Sequence, residues 1–273
     1  MSRIDGKIAI VTGGTQGLGA AVTRQLAGAG AAGVVTCGRS QEAGASVASR
    51  IASETGCDVR FVKADLGQVD DCRAVVAAAD AAFGRVDILV NAAGITDRGD
   101  ILSTSAELFD RMFAVNTRGP FFLMQESIRR MIRDKLEGAI VNIGSTSALA
   151  GQPFVAAYCG SKGALATLTR NTAFAVMRNR IRVNQLNIGW MASGGEDRIQ
   201  REYHGAKTNW LEEAAAEQPF GRLLAPAEVA RAVNFLVSAE SGMMTGSVIN
   251  FDQSVWGAYS FAPPTPASPL QVS

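Results

Sequence analysis

Tyr158 and Lys162 are two residues whose types and spacing could support acid–base chemistry. In a helix, side chains four residues apart lie on one face, so the phenol and the ammonium would point into the same space. A nearby ammonium favours the phenolate, and we expect it to lower a phenol pKa that is ordinarily about 10. Such a tyrosine could exchange a proton near neutral pH. The alternative is a partly buried tyrosine beside a solvated lysine, so the pair needs supporting motifs.

A glycine-rich segment near the start of the chain is the second candidate. A short β-branched run, Lys7–Val11, leads into Thr12–Gly19, and a helical pattern follows over Ala20–Gly30. Glycines after a strand let the backbone approach a pyrophosphate, whose charge is then met by the N-terminus of the helix. The spacing GxxxGxG differs from the usual GxGxxG, and a tight turn without a ligand is the alternative. The context favours dinucleotide binding.

The end of the second predicted strand indicates which dinucleotide is bound. An acidic residue there would bind the ribose 2′-hydroxyl of NAD, whereas an arginine would accommodate a 2′-phosphate. The sequence TCGRS places Arg39 at this point and contains no carboxylate. A guanidinium offers paired donors to a phosphate. We therefore expect NADP(H), with NAD(H) as the other possibility and a solvated strand-end arginine as the alternative interpretation of Arg39.

Composition excludes several classes of protein. The chain has 273 residues, of which 47% are hydrophobic and 19% charged, as in a globular domain with a sizeable core. A net charge of +1 gives no electrostatic argument for nucleic acid or a membrane surface as partner. The four cysteines lack CxxC spacing, so no zinc site or disulfide framework is indicated. With no signal peptide and no membrane-spanning run, we expect a soluble protein of a reducing compartment, the cytoplasm.

Hydrophobic patterns along the chain alternate between strands and helices. Such alternation predicts an α/β fold, a doubly wound parallel sheet covered by helices on both faces. No linker interrupts the pattern, so we expect one domain over residues 1–261. The predicted strands after the first are Gly33–Cys37, Val59–Val62, Ile88–Asn91, Ala139–Ile143, Ile181–Leu186 and Ser247–Phe251, and the later helices are Glu42–Glu54, Val69–Phe83, Ala106–Arg133, Phe154–Met177 and Ala227–Ser238.

Two segments depart from this alternation. Gly189–Gln218 is polar, contains several glycines and carries the chain's single histidine, His204. It is too long for a plain connection, so we expect a functional loop or lid. The tail 262–273 contains four prolines and no apolar period, and we expect it to be extended or disordered.

With both motifs in view, the chain resembles the short-chain dehydrogenase/reductase family over Gly6–Asp252. The family's TGxxxGxG matches Thr12–Gly19, its NNAG is similar to Asn91–Gly94, and its YxxxK matches Tyr158 and Lys162. The resemblance implies a Rossmann-like fold, and a catalytic tetrad of Asn116, Ser145, Tyr158 and Lys162. It further implies cofactor contacts from Tyr158, Lys162 and a set of residues spread along the chain, namely Gly13, Thr15, Gln16, Gly17, Leu18, Gly19, Arg39, Asp65, Leu66, Asn91, Ala92, Gly94, Ile188 and Ser193.

The resemblance also implies a mechanism. Hydride passes between nicotinamide C4 and a carbonyl or secondary-alcohol carbon. Tyr158 is then the acid in reduction and the base in oxidation, and Lys162 lowers its pKa and binds the nicotinamide ribose. Ser145 polarises the substrate oxygen, and Asn116 holds a water that links Lys162 to solvent.

Several of these residues have simpler interpretations. Ser145 could belong to a serine-rich turn, and Asn116 could make a local hydrogen bond. Asn91 fits a bridge between strands better than a chemical role, and His204 in a polar loop is more often solvated than catalytic. The chain also departs from the family pattern, because Ile188 replaces the usual proline after the sixth strand.

Further departures concern the cofactor pocket. Ser193 stands where a threonine often contacts the carboxamide, and Ala92 replaces the second asparagine of NNAG. Gln253-Ser254 replaces the usual Gly-Gly after the last strand. Serine keeps the hydroxyl group of threonine, so the replacement at Ser193 is the mildest of these departures.

The substrate should be chosen by loops beyond the strand ends, here Ile95–Ser103, Thr146–Phe154 and Gly189–Gln218. Polar groups with a few aromatics suit a hydroxylated substrate, so we expect a sugar or polyol. The alternatives are a 3-ketoacyl-thioester reductase, for which Arg98 and Arg198 are candidate contacts, and a non-catalytic nucleotide-sensing protein. The last loop offers Glu196, Asp197, Arg198, Gln200, Arg201, Tyr203, His204, Asn209 and Trp210. By resemblance we expect a homotetramer or dimer.

Overall fold

A single parallel sheet of seven strands forms the centre of the computed structural model, which describes residues 2–149 and 151–258. The spatial order is β3-β2-β1-β4-β5-β6-β7, and every strand pair is parallel. The order reverses between β1 and β4, which is where α/β folds of this type bind ligands. The strands are β1 (Ile8–Thr12), β2 (Gly33–Gly38), β3 (Asp58–Lys63), β4 (Ile88–Asn91), β5 (Ala139–Ser145), β6 (Arg182–Ile188) and β7 (Val248–Phe251).

Helices cover both faces of this sheet. Alternate residues of a strand point to opposite faces, so Ala9 and Val11 pack with the core on one side while Ile10 packs with the core on the other. The first core includes residues of α1, α2 and α9, and the second includes residues of α3, α5 and α6. The helices are α1 (Gly17–Gly28), α2 (Gln41–Thr55), α3 (Val69–Phe83), α4 (Ala106–Phe113), α5 (Gly119–Arg133), α6 (Ala156–Val176), α7 (Gly194–His204), α8 (Trp210–Ala216) and α9 (Pro226–Val237).

The predicted doubly wound parallel sheet is confirmed, with each strand close to its expected position. The single helical pattern Ala106–Arg133 is instead two helices joined by a π-helical turn at Ala114–Arg118. The predicted boundary at residue 261 and the tail 262–273 lie outside the described residues and stay predictions. Within residues 2–149 and 151–258, no helix combines the length and apolar character needed to span a bilayer.

The segment Gly189–Gln218 is not the irregular loop that its sequence suggests, because it contains α7 and α8. Ser193 caps α7 by accepting a hydrogen bond from the Glu196 amide at 3.1 Å, and Gly205 ends it in a left-handed conformation with φ of +59°. Ile199 is the one buried residue of α7. The helix therefore lacks the apolar period by which helices are predicted.

Candidate active site

A cavity of about 1710 Å³ opens at the carboxyl ends of the strands, across the point where the strand order reverses. Its wall is built from the segments that follow β1, β2, β3, β4, β5 and β6, together with α6 and α7. Parallel strands deliver all of these segments to one edge of the sheet, so residues distant in sequence meet there. This cavity brings the predicted site residues together.

Most residues predicted to bind the cofactor line this cavity. They are Gly13, Thr15, Gln16, Gly17, Leu18, Gly19, Arg39, Asp65, Leu66, Ala92, Gly94, Ile188 and Ser193, and they are joined there by Ser145, Tyr158 and Lys162. Asn91 and Asn116 do not line it.

The glycine-rich turn fills a space that larger residues could not occupy. Gly13 has φ of +75°, and a methyl group built on it would lie 3.0 Å from the Ala93 Cα. A methyl group on Gly19 would overlap the Gly13 carbonyl, because α1 begins directly against the turn. The turn thus leaves exposed backbone at a helix N-terminus, where anions bind.

Thr12 connects this turn to the neighbouring strand segment. Its hydroxyl oxygen accepts hydrogen bonds from the amides of Ala92 and Ala93, both at 3.0 Å. The contact crosses from β1 to the chain that follows β4 and fixes the floor of the cavity. Sequence reasoning identified Thr12 as part of a motif and did not predict this role.

Asn91 lies below the cavity and makes an interstrand contact. Its side chain is 2% exposed, and its Nδ2 donates to Asn142 Oδ1 at 2.8 Å. Asn142 Nδ2 donates in turn to Thr169 Oγ1 at 2.9 Å, which links β4, β5 and α6. The geometry thus favours the interstrand bridge over a cofactor contact for the Asn91 side chain.

Asn116 lies in the π-helical turn, a type of helical irregularity that is frequent at functional sites. Its Oδ1 accepts from the Ile95 amide and its Nδ2 donates to the Ile95 carbonyl, both at 2.9 Å. Nδ2 also lies 3.2 Å from Ser161 Oγ. A methyl group built on Gly94 would lie 3.3 Å from Asn116 Oδ1 and 3.5 Å from Lys162 Nζ. Asn116 therefore holds the segment after β4 in place immediately beside Lys162.

Tyr158 and Lys162 lie one turn apart on α6, as predicted, with Nζ 5.8 Å from the centre of the phenol ring. Lys162 is 4% exposed, and its ammonium donates to the Ile143 carbonyl at 2.8 Å. Ile143 precedes Ser145 by two residues on β5. The hydrogen bond thus holds the tyrosine, the lysine and the serine around one end of the cavity.

The predicted lowering of the Tyr158 pKa is wrong in this structure. Burial raises the pKa of Tyr158 to about 12, and hydrogen bonding with the Ser145 hydroxyl only partly offsets that rise. Burial likewise lowers the pKa of Lys162 to about 8, because removal from water disfavours its charged form. Burial is the main cause of both pKa shifts, so the phenol keeps its proton at neutral pH.

Ser145 belongs to a short relay of hydrogen bonds that sequence reasoning missed. Its Oγ donates to Ser147 Oγ at 3.1 Å and accepts from the Ser147 amide at 3.1 Å. Ser147 Oγ donates to Gln152 Oε1 at 2.5 Å. The relay fixes the orientation of the Ser145 hydroxyl. The repeated serines of Gly144–Ser147 are the only sequence signal for this relay, and they equally fit a serine-rich turn.

Two of the departures from the family pattern, Ile188 and Ser193, lie in the cavity wall. Ile188 ends β6 in register with Phe251 of β7 and lines the cavity with its half-buried side chain. The Ser193 hydroxyl is engaged as the cap of α7. Position 193 therefore keeps a hydroxyl group, and the hydrogen bond to the first turn of α7 fixes its orientation.

All three predicted substrate loops contribute to the outer wall. Arg98, after β4, donates from Nε to His204 Nε2 at 3.1 Å and lies 5.6 Å from the centre of the Phe154 ring. The His204 and Phe154 rings meet edge to face at 6.1 Å. Tyr203 donates to Asp97 Oδ1 at 3.2 Å. These contacts hold the end of α7 against the other two loops, while the His204 side chain itself stays exposed to solvent.

The arrangement can perform proton transfer at a carbonyl oxygen. It presents a protonated phenol, a fixed serine hydroxyl and a buried lysine at one end, and a glycine turn suited to a pyrophosphate at the other. Polar and aromatic side chains cover the space between them and solvent. These two ends of the cavity fit a dinucleotide together with a small organic molecule.

Comparison with known proteins agrees with this geometry. Residues 13–254 match the family model described as enoyl-(acyl carrier protein) reductase. The chain is 35% identical to versicolorin reductase 1 of Aspergillus parasiticus over 257 residues, 92% of this chain and 96% of that protein. It is 32% identical to tetrahydroxynaphthalene reductase of Pyricularia oryzae over 256 residues, 91% of this chain and 89% of that protein.

Solved structures show the same relationship. The structure of L-sorbose reductase from Gluconobacter frateurii, complexed with NADPH and L-sorbose, superposes with a TM-score of 0.87 at 25% identity. The match covers 94% of this chain and 99% of that one. The sequence motifs, the strand order and these matches agree. The chain therefore belongs to the short-chain dehydrogenase/reductase family and is an oxidoreductase.

Proposed function

We propose that this protein is an NADP(H)-dependent reductase that acts on the ketone of a small polyhydroxylated molecule, with a sugar or polyol favoured. The observation that carries the proposal is the single cavity that joins the glycine turn and Arg39 to Tyr158, Lys162 and Ser145. The polar side chains of its outer wall, and the L-sorbose bound in the L-sorbose reductase structure, support the substrate class.

The residues present fit a dinucleotide phosphate. The glycine turn forms a cradle that side chains would fill, at the N-terminus of α1. Arg39 lines the cavity with an exposed side chain and has no ion-pair partner within residues 2–149 and 151–258. A guanidinium without a partner is available to a 2′-phosphate. The NADPH bound in the L-sorbose reductase structure supports the same choice.

The proposed chemistry needs one proton and one hydride. The glycine turn and Arg39 would hold the dinucleotide, and its nicotinamide would supply the hydride for the carbonyl carbon. Tyr158 donates its phenolic proton to the carbonyl oxygen, and its raised pKa ensures that this proton is present at neutral pH. The Ser145 hydroxyl, which donates to Ser147 Oγ in this structure, turns its hydrogen to the same oxygen as negative charge develops there. Lys162, held by Ile143, lies beside the phenol to stabilise the phenolate that remains. Asn116 positions the segment next to Lys162, where a water could return the proton from solvent.

A 3-ketoacyl-thioester reductase is the second candidate, since a 3-oxoacyl (acyl-carrier-protein) reductase is among the solved structures that this chain resembles. Such a carrier is acidic and would need free cations at the mouth of the cavity. Arg98 is instead occupied by the Thr96 carbonyl and His204, at 2.8 and 3.1 Å. Arg198 remains exposed. A purely nucleotide-sensing role has less support, because Tyr158, Lys162 and Ser145 are all present and adjacent.

The predicted homotetramer or dimer is retained as part of the proposal. Helices α4, α5 and α6 carry exposed aromatic side chains, among them Phe109, Phe121 and Phe174, the last 75% exposed. Large apolar side chains left exposed can be covered by association with a second copy. Light scattering at micromolar concentration should give the mass of a dimer or tetramer, and a monomer would contradict this part.

The four cysteines are free thiols, which supports the proposed reducing, cytoplasmic compartment.

Replacement of Tyr158 by phenylalanine tests the reaction. We expect NADPH oxidation with polyhydroxylated ketones to fall by at least about a thousandfold, because the proton donor is lost while the ring still packs. NADPH binding, measured by fluorescence titration, should change by less than about twofold. The assay uses absorbance at the NADPH band against sugars, simple ketones and acetoacetyl thioesters. Residual activity within tenfold of wild type would refute the role of Tyr158, and wild-type turnover restricted to thioesters would favour the second candidate.

Arg39→Ala tests the choice of cofactor. A hydrogen-bonded charge pair lost from a surface site should weaken NADPH binding about tenfold and leave NADH binding nearly unchanged. Arg50→Ala is a matched control, since Arg50 is also exposed, lies on the adjacent α2 and is absent from the cavity wall. Tighter binding of NADH than NADPH by the wild-type protein would overturn the NADP(H) assignment.

A further inference from the structure

The carboxylate of Glu196 occupies an unusual position in the cavity wall. Glu196 lies in the first turn of α7, three residues after the cap Ser193, and its side chain is half-buried. It lines the same cavity as Tyr158 and Ser145. A negative charge is stabilised near the N-terminus of a helix, so this position suits a carboxylate.

Two donors fix the orientation of this carboxylate. Its Oε1 accepts from Trp190 Nε1 at 2.9 Å and from Gln200 Nε2 at 2.8 Å. Trp190 stacks on Trp210 with ring centres 6.2 Å apart, and Trp210 Nε1 donates to Asp197 Oδ1 at 2.7 Å. Both indoles therefore hold the first turn of α7. The Glu196 side chain is preorganised rather than free to rotate into solvent.

One oxygen of the Glu196 carboxylate has no partner in the part of the chain that the structure describes. Within residues 2–149 and 151–258, Glu196 Oε2 accepts no hydrogen bond, and no arginine or lysine forms an ion pair with Glu196. The nearest acidic neighbour along the helix, Asp197, is by contrast paired with Arg201 at 2.9 Å. Each carboxylate oxygen can accept about two hydrogen bonds. An oriented anionic acceptor is thus left for a ligand in the cavity.

The charge of the Glu196 carboxylate acts on Tyr158, at the reacting end of the cavity. Burial is the main cause of the raised pKa of Tyr158, and the negative charge of Glu196 adds to it. The carboxylate is therefore close enough to the phenol for its charge to act there. A substrate whose carbonyl meets Tyr158 would place its neighbouring substituents within the field of Glu196.

We propose that Glu196 is a specificity-determining residue that accepts a hydrogen bond from a substrate hydroxyl near the reacting carbonyl and rejects substrates carrying a carboxylate or phosphate at that place. Hydroxyl recognition by a fixed charged acceptor discriminates strongly against analogues that lack the hydroxyl. A second anion beside Glu196 would meet like-charge repulsion in a partly desolvated site. This inference rests on the proposed function and narrows its substrate class to neutral or cationic hydroxyketones.

Glu196→Gln tests the inference with three ketones that differ in one substituent, namely hydroxyacetone, butan-2-one and pyruvate. We expect kcat/KM for hydroxyacetone to fall about tenfold, mainly through KM, because a charged acceptor becomes neutral. Butan-2-one should change less than about twofold, and pyruvate should gain about tenfold. Any change in Tyr158 acidity affects all three ketones alike, so the ratios isolate recognition. Glu212→Gln is the matched control, since Glu212 is exposed on α8 and outside the cavity wall.

The outcomes separate the two proposals. If the wild-type protein reduces these ketones and Glu196→Gln leaves their ratios unchanged, the inference is wrong while the proposed function stands. If the wild-type protein reduces none of the three ketones, the proposed function is wrong for small ketones. The inference about Glu196 is then tested by the binding of a polyol instead of by turnover. Trp190 donates to Glu196, so tryptophan fluorescence reports on sorbitol titrated into the protein. The inference is supported if the fluorescence change saturates in the wild type and in Glu212→Gln, and if the sorbitol Kd of Glu196→Gln is at least tenfold higher. It is contradicted if the wild-type fluorescence shows no saturable change.

Discussion

The hydrogen bond from the Lys162 ammonium to the Ile143 carbonyl, 2.8 Å long, is the contact on which the site depends. It joins the inner face of α6 to the end of β5, and Lys162 is nearly inaccessible to water. A buried ammonium is costly unless its donors are satisfied. The contact therefore fixes how α6 lies on the sheet. Since Tyr158 lies one turn before Lys162 and Ser145 two residues after Ile143, the same contact brings phenol and hydroxyl together.

A parallel sheet extends this local arrangement into a complete site. Thr12 ties the end of β1 to the segment after β4, and Asn116 ties that segment to the π-helical turn beside Lys162. The glycine turn after β1 then lies across the switch point from Tyr158, along one cavity. A short set of backbone-directed hydrogen bonds thus sets the distance between the part suited to a dinucleotide and the part suited to a carbonyl.

Much of the fold could be predicted from the sequence because strands of a parallel sheet are continuous β-branched runs, as in β1 and β4, and glycines mark the turn between β1 and α1. The spacing of Tyr158 and Lys162 likewise predicts a shared helix face. Other features depend on tertiary contacts that have no local signature. The π-helical turn around Asn116 and the polar helix α7 lack the expected periods, and the Asn91 contact depends on which strand lies beside β4. The direction of the Tyr158 pKa shift follows from burial, which neither residue of the pair reveals in sequence.

The central claim is that one cavity holds a dinucleotide phosphate and presents its reactive end to Tyr158. A crystal structure of the complex with NADPH tests this most directly. We expect the pyrophosphate at the turn Gly13–Gly19, the 2′-phosphate at Arg39, and the nicotinamide ring beside Tyr158 and Ser145. Density for the nucleotide in another part of the molecule, or for a nicotinamide ring pointing away from Tyr158, would contradict it.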